Sequence, residues 1–154
     1  MTPHRATDPY DWAALLALIQ RAFAVMEGVI DPPSSLHRLT PEGIAEQARQ
    51  GEVWVIGTPP AACVFFTPKE GALYIGKLAV DPIRQSRGLG RALLDLAETR
   101  AHALGLPTLE LQTRVELTAN HAIFRRLGFV QSAATAHPGY DRPTTLTFHR
   151  TVAP

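Results

Sequence analysis

The sequence predicts an α/β fold of the α+β type, in which helices cover both faces of one mixed, mostly antiparallel sheet. Segments with apolar residues at helical spacing alternate with short apolar strands. Turns rich in glycine and proline join consecutive strands, which favours antiparallel neighbours. The 154 residues, 45% hydrophobic and 19% charged, have the length and composition of one soluble domain, here residues 1–154.

Two helices are predicted in the first third of the chain. The first has a capping pattern, with Asp8 as N-cap, Pro9 at the first helical position and Asp11 three residues after the cap. Its apolar residues follow at helical spacing: Trp12, Leu15, Leu16, Ile19, Phe23 and Met26. A proline-rich loop separates this helix from a second one, which begins near Thr40 and ends before Gly51.

The rest of the chain alternates between strands and helices. Three strands, separated by turns, are predicted at residues 52–56, 62–66 and about 72–80. A long helix begins near Leu89, and a strand follows at about 109–113. A short helix then runs from about Thr118 to Leu127. Two final strands, near 129–133 and 144–150, flank a loop.

Charge and composition exclude several classes of function. The net charge is +1, which gives no reason to expect a nucleic-acid or membrane partner. Cys63 is the single cysteine, so no internal disulfide or cysteine metal cluster can form. The histidines show no metal-binding spacing, and we predict no metal. The N-terminus is unlike a signal peptide and no segment is apolar enough to span a membrane, so we expect a cytoplasmic protein.

The most informative segment is the loop between the strand that ends at Val80 and the helix that begins near Leu89. Gly88 and Gly90 permit positive φ and a close approach of a ligand to the backbone. Amide groups at a helix start attract anions. Three arginines flank the loop: Arg84, Arg87 and Arg91. The loop therefore predicts a site for a phosphate-bearing ligand, although the glycines alone could serve only a tight turn.

The loop is neither a Walker loop, because it lacks the Lys-Ser/Thr pair, nor a dinucleotide fingerprint. Its pattern Gln85-x-x-Gly88-x-Gly90 resembles the coenzyme A loop of the GNAT superfamily of acyl-CoA-dependent N-acetyltransferases. Residues 78–82, Leu-Ala-Val-Asp-Pro, resemble the end of that family's bulged central strand. Residues 120–129 are similar to its Asn-x-x-x-Tyr-x-x-x-Gly-Phe element. The resemblance implies a single GNAT-like domain with a splayed central strand pair and acetyl-CoA as cosubstrate.

The resemblance also implies which residues bind acetyl-CoA. The pyrophosphate would lie on the loop residues Gln85, Ser86, Arg87, Gly88, Leu89, Gly90 and Arg91. A bulge near Leu78, Ala79 and Val80 would free backbone N–H groups for the thioester carbonyl and the pantetheine arm. Asn120 would either bond to that arm or cap its helix.

Phe124 departs from the family pattern, which often has a tyrosine placed to protonate the departing thiolate. Its ring would either pack beside the cofactor or belong to the core. The implied reaction is attack of a neutral amine on a thioester carbonyl, which calls for a base. Glu110 and His137 are candidate bases, and Tyr140 is the leading substitute for the missing hydroxyl. Glu27, after the first helix, could contact a cationic amine.

The sequence therefore predicts transfer of an acetyl group from acetyl-CoA to a primary amine by direct attack in a ternary complex. A small-molecule acceptor is favoured, and a polycationic one is not, because Glu27 and Asp31 are the only acidic residues of segment 27–40. Two alternatives stay open: a peptide or protein amine as acceptor, and a non-catalytic coenzyme A-binding sensor. Edge strands near the C-terminus would allow a homodimer.

Overall fold

The computed structural model describes residues 2–85 and 87–154 as seven strands and four α-helices. In chain order they are β1 (His4–Arg5), α1 (Trp12–Phe23), α2 (Pro41–Gln50), β2 (Glu52–Ile56), β3 (Ala62–Lys69), β4 (Ala72–Val80), α3 (Leu89–Ala103), β5 (Thr108–Arg114), α4 (Thr118–Arg126), β6 (Val130–Thr135) and β7 (Thr145–Thr151). Short 3₁₀ turns lie at Ala24–Met26, Ser35–Arg38 and Pro82–Arg84. None of the helices described is long and apolar enough to cross a bilayer.

The seven strands form one sheet in the order β1-β2-β3-β4-β5-β7-β6. Strands β4 and β5 run parallel, and the other neighbouring strands of the described chain are antiparallel. The β4–β5 ladder ends where Ile75 lies opposite Leu111, although β4 continues to Val80 and β5 to Arg114. The predicted mixed, mostly antiparallel sheet with a splayed central pair is therefore confirmed.

Helices cover both faces of the sheet, as predicted. On one face α1 and α2 pack through residues such as Leu15, Ile19 and Ile44, which are fully buried. On the other face α3 and α4 cover a second cluster around Leu93 and Phe148, also fully buried. Burying one such side chain contributes about 1.5–3 kcal/mol. The helix layers on the two faces hold β4 and β5 in place. The ends of these strands can therefore stay apart without hydrogen bonds between them.

The first helix begins three residues later than predicted, and Asp8 as its cap was wrong. The N-cap is Asp11, whose Oδ1 accepts a hydrogen bond from the N–H of Ala14 at 3.0 Å. Asp8 instead accepts from Nε1 of Trp12 at 2.9 Å and from Nε of Arg49 at 3.0 Å. Aspartate is a preferred N-cap residue, so the local sequence fits either Asp8 or Asp11. Asp8 is bound instead by Arg49, which is distant in sequence, and Asp11 caps the helix.

The end of α4 follows the predicted pattern more closely. Gly128 has a φ of +90°, and the N–H of Phe129 donates to the carbonyl of Phe124 at 3.0 Å. The two phenylalanine rings meet edge to face, with centroids 6.1 Å apart. A glycine followed by an apolar contact is a common helix ending, and here it fixes where α4 crosses the sheet.

Candidate active site

The gap between the diverging ends of β4 and β5 is the candidate site. Beyond Ile75 and Leu111 no ladder joins the two strands within the described ranges, so backbone groups on both sides can bind a ligand. Thr113 lies on this part of β5, is 8% exposed, and its hydroxyl has no hydrogen-bond partner among the described residues. A buried unpaired hydroxyl is destabilising, and a ligand that supplied a partner would remove that cost.

A bulge in β4 borders the gap. The register of β3 against β4 shifts between Cys63 and Phe65, so Val64 faces both Lys77 and Leu78. Lys77 has a φ of +46°, and no other non-glycine residue of the described chain has a positive φ. A bulge releases backbone groups from the ladder. The bulge in β4 begins at Lys77, one residue before the predicted segment 78–80. Lys77 was not identified from the sequence.

The side chain of Lys77 holds this bulge against α2. Its Nζ donates to Oε1 of Gln47 at 3.0 Å and lies 5.1 Å from the centroid of the Phe65 ring. Burial lowers the pKa of Lys77 below its ordinary value. The Lys77 carbonyl accepts from Sγ of Cys63 at 3.5 Å, and burial raises the pKa of that thiol to about 12. A strained backbone held by several contacts is common at binding sites.

The start of α3 lies at the end of β4 and is open to a ligand. Gly88 is the N-cap, in the left-handed region with a φ of +77°, and it provides no side-chain cap. A Cβ added to Gly90 would meet only Cγ2 of Val80, at 3.8 Å. No acidic residue lies in the first turn of α3. The first amide groups of α3 therefore form a candidate anion site.

The other predicted loop residues surround this helix start. Gln85, Arg87 and Arg91 are exposed, and Leu89 is half-buried. Ser86 lies outside the described residues. Their predicted contacts with the pyrophosphate stay predictions, and so do those of the backbone at Leu78, Ala79 and Val80.

Two predicted cofactor residues lie on α4. Asn120 is the third residue of that helix, and the N-cap position belongs to Leu117. The alternative that Asn120 caps its helix is therefore wrong, and its contact with the pantetheine arm stays a prediction. The ring of Phe124 lies 6.1 Å from the rings of both Phe129 and Phe148 and stays partly exposed. Phe124 is thus a core aromatic with one open edge, and its contact with the cofactor stays a prediction.

Glu110 lies in the paired part of β5, opposite Tyr74, rather than in the gap. Its carboxylate accepts from Nζ of Lys69 and from Nε2 of His149, each at 3.0 Å. Burial by itself raises the pKa of Glu110, but the two donors outweigh burial and the pKa lies below its ordinary value. A carboxylate stabilised in this way is a weak proton acceptor at neutral pH. These contacts argue against the general-base role predicted for Glu110.

His137 and Tyr140 lie in the loop between β6 and β7. The hydroxyl of Tyr140 donates to Oδ1 of Asp31 at 2.6 Å, and this hydrogen bond raises the pKa of Tyr140. Arg142 donates to the other oxygen of Asp31 at 3.1 Å. Nδ1 of His137 is hydrogen bonded to Oγ1 of Thr144. Both predicted catalytic groups therefore already have partners within the chain.

A cavity of about 490 Å³ lies between the end of α1 and the segment that follows it. Glu27 and His37 line it, with Nε2 of His37 3.8 Å from Oε1 of Glu27. Most of its wall is apolar: Ile19, Phe23, Met26, Ile30 and Leu36. The segment expected to form the acceptor wall thus lines a cavity.

Contacts at two points tie α1 and the segment after it to the ends of the diverging strands. At the end of β4, NH2 of Arg21 in α1 lies 3.2 Å from Oδ2 of Asp81. At the end of β5, NH1 of Arg114 donates to the carbonyl of Pro32 at 2.7 Å. Glu116 accepts from the N–H of Asp31 at 3.3 Å. The segment that lines the cavity is therefore tied to the end of β5, and the helix before it to the end of β4.

Comparison with known proteins agrees with this geometry. The sequence profile of the acetyltransferase (GNAT) family matches residues 12–129. The chain is 31% identical over 113 residues to mycothiol acetyltransferase of Jonesia denitrificans, an alignment that covers 73% of this chain and 32% of that protein. This chain thus spans about a third of the length of that curated relative.

Two solved structures are similar over nearly the whole chain. The ribosomal-protein-S18-alanine N-acetyltransferase of Escherichia coli has a TM-score of 0.72 at 21% identity, covering 99% of this chain and 95% of that one. A GNAT acetyltransferase of Staphylococcus aureus has a TM-score of 0.76 at 12% identity, covering 99% of both chains. At these identities the likeness concerns the fold alone.

The fold is thus shared with solved acetyltransferases. The chain belongs to the GNAT acetyltransferase family, whose members use acetyl-CoA. The family and fold predicted from the sequence are thereby confirmed.

Proposed function

We propose that this protein transfers an acetyl group from acetyl-CoA to the primary amine of a small molecule, by direct attack in a ternary complex. The observation that carries the proposal is the position of the β4–β5 gap. The start of α3 follows the end of β4, and contacts from α1 and from the segment that lines the cavity reach the ends of β4 and β5. A donor held at α3 and an acceptor in the cavity would meet in the gap, and such positioning is a large part of catalysis for two bound substrates.

The residues fit acetyl-CoA as donor. The amides at Gly88 to Arg91 suit the pyrophosphate, because Gly90 leaves their approach open and no acidic side chain lies in the first turn. The bulge at Lys77 and the unpaired strand ends supply backbone groups for the pantetheine arm. The buried, unpartnered hydroxyl of Thr113 offers a further polar contact in the same region.

The cavity after α1 favours an amine with an apolar body as acceptor. Its wall is mostly apolar, and Glu27 is the one carboxylate among the described residues that line it, which suits a single ammonium group better than a polyamine. The relatives do not decide the acceptor, since one is named for mycothiol and another for an alanine of a ribosomal protein. A peptide amine is the second candidate.

Proton transfer in this proposal relies on the cavity rather than on Glu110. Glu27 and His37 line the cavity and could accept the ammonium proton directly or through water. Phe124 has no proton to donate, and the hydroxyl of Tyr140 is bonded to Asp31. A thiolate with an ordinary pKa of about 8.5 can leave without a dedicated acid near neutral pH.

Calorimetry with acetyl-CoA, followed by a thiol-release assay over a panel of amines, tests the proposal. We expect binding of acetyl-CoA and turnover with monoamines that carry an apolar group, ahead of polyamines and peptides. Glu27→Gln should raise KM for the amine and leave acetyl-CoA affinity unchanged, whereas Glu42→Gln, an exposed position on α2, should change neither. Turnover restricted to peptides would contradict the acceptor class, and binding without any turnover would favour the sensor alternative.

A further inference from the structure

A second cleft, of about 380 Å³, lies between α3 and the end of α4. It is lined from α3 by Arg91, Asp95 and Glu98, and from the far side by Arg126 and Arg150. Arg91 is the third residue of α3 and directly follows Gly90. The cleft therefore begins within one helical turn of the anion site at the α3 start.

The arginines of the cleft differ in what they bind. Arg150 is engaged, because NH1 donates to the carbonyl of Leu127 at 2.9 Å and NH2 donates to Glu98 at 3.1 Å. Arg91 and Arg126 are exposed, and neither forms an ion pair within residues 2–85 and 87–154. Two guanidinium groups, one from each helix, are thus available to an anion in the same cleft.

Coenzyme A carries two separate anionic groups, the pyrophosphate and a phosphate on the 3′ position of its ribose. Arginine binds phosphate through parallel N–H donors, and two arginines on opposite sides of a cleft suit a terminal phosphate monoester. Asp95, which is also exposed in this cleft, would repel the same phosphate.

We propose that Arg91 and Arg126 bind the 3′-phosphate of coenzyme A, and that the protein thereby discriminates coenzyme A from dephospho-coenzyme A. This inference rests on the proposed function, in that the pyrophosphate must lie at the start of α3. It goes beyond that function by naming the residues that select the phosphorylated form of the donor.

The test is calorimetric titration with coenzyme A and with dephospho-coenzyme A at two salt concentrations. We expect the wild type to bind coenzyme A more tightly by about tenfold or more, a preference that shrinks as salt screens the exposed charges. Arg126→Gln should weaken coenzyme A by about fivefold, as expected for an exposed charge pair of about 1 kcal/mol, and leave dephospho-coenzyme A unchanged. Arg91 also belongs to the pyrophosphate loop, so Arg91→Gln should weaken both ligands, but coenzyme A more than dephospho-coenzyme A. Arg125→Gln is the matched control, because the guanidinium of Arg125 lies over the Phe148 ring at 5.5 Å rather than in the cleft.

Asp95→Asn provides a variant with the opposite sign. It should tighten binding of coenzyme A and leave dephospho-coenzyme A unaffected, because it removes a repulsive charge. Equal wild-type affinity for the two ligands, or variants that weaken both ligands alike, would overturn this inference while the proposed function stands. If neither ligand binds, the proposed function fails as well, and the inference fails with it.

Discussion

The hydroxyl of Tyr140 donates a 2.6 Å hydrogen bond to the carboxylate of Asp31, and so joins the β6–β7 loop to the segment after α1. Arg142 binds the other oxygen of the same carboxylate. Asp31 also donates its N–H to Glu116, just beyond β5. These contacts tie the segment after α1 to the β6–β7 loop and to the residues just beyond β5, next to Ile30 and Pro33 in the cavity wall, and so give Tyr140 a structural role.

Tyr140→Phe distinguishes this role from proton donation. A tyrosine whose hydroxyl already donates to Asp31 and whose pKa is raised should be a poor acid, so we expect kcat to fall less than tenfold. The KM for the amine should rise, because the cavity wall loses an anchor. Asp31→Asn serves as the matched change at the other end of the bond and should act alike. A loss of kcat of a hundredfold or more in Tyr140→Phe alone would restore the acid role.

Glu110→Gln should affect stability more than turnover. The folded protein lowers the pKa of Glu110, so the ionised carboxylate stabilises the fold above the ordinary pKa of about 4.3, and this contribution is lost as pH falls through the lower folded pKa. The wild type should therefore melt above Glu110→Gln at pH 7, and the difference in Tm should shrink below about pH 4. Thermal melts from pH 3 to 7 measure this, and thiol release at pH 7 should differ less than tenfold. A larger loss of rate without loss of Tm would show that Glu110 is the base.

Lys77 gives a prediction about the bulge. Lys77→Ala keeps a Cβ at a φ of +46° and loses the hydrogen bond to Gln47, whereas Lys77→Gly loses the same bond but relieves the backbone strain. We expect the free energy of unfolding to be about 1 kcal/mol lower for Lys77→Ala than for Lys77→Gly, so that Lys77→Ala has the lower Tm. Lys77→Ala should also bind acetyl-CoA more weakly than Lys77→Gly does. Equal Tm and affinity in the two variants would mean that the backbone conformation at Lys77 does not support the site. Differential scanning calorimetry with a ligand titration gives both quantities.

Local patterns in the sequence, together with the family resemblance, were enough to predict the fold, while the binding of the donor at the loop after β4 stays a prediction. The turns and apolar alternation predicted strands β2 to β7 nearly in place but did not place β1, and Gly128 followed by Phe129 predicted the end of α4. Asp8 was mistaken for a cap because its contact with Arg49 spans 41 residues and leaves no local signal. The bulge at Lys77 was placed one residue late for the same reason, since its contact with Gln47 comes from another helix.

The surroundings of the candidate catalytic residues could not be predicted from the sequence. The alternation of apolar and polar residues in β5 does not determine whether Glu110 or Leu111 faces the gap. The observed strand register places Glu110 opposite Tyr74, where β4 and β5 are still paired. The partners of Tyr140 and His137 come from loops whose paths a sequence does not determine. The cavity after α1 was anticipated only as an acceptor wall, because its volume depends on how α1 and the following segment pack.

Binding of acetyl-CoA to Gly90→Asp and Gly90→Asn tests the central claim, that the start of α3 holds the pyrophosphate of acetyl-CoA beside the β4–β5 gap. An acidic residue in the first turn of a helix favours its dipole, so Gly90→Asp should melt no lower than the isosteric Gly90→Asn. The same carboxylate should repel the pyrophosphate, and calorimetry should show affinity at least tenfold weaker for Gly90→Asp than for Gly90→Asn. Equal affinity for acetyl-CoA in the two variants, with both folded, would contradict the claim.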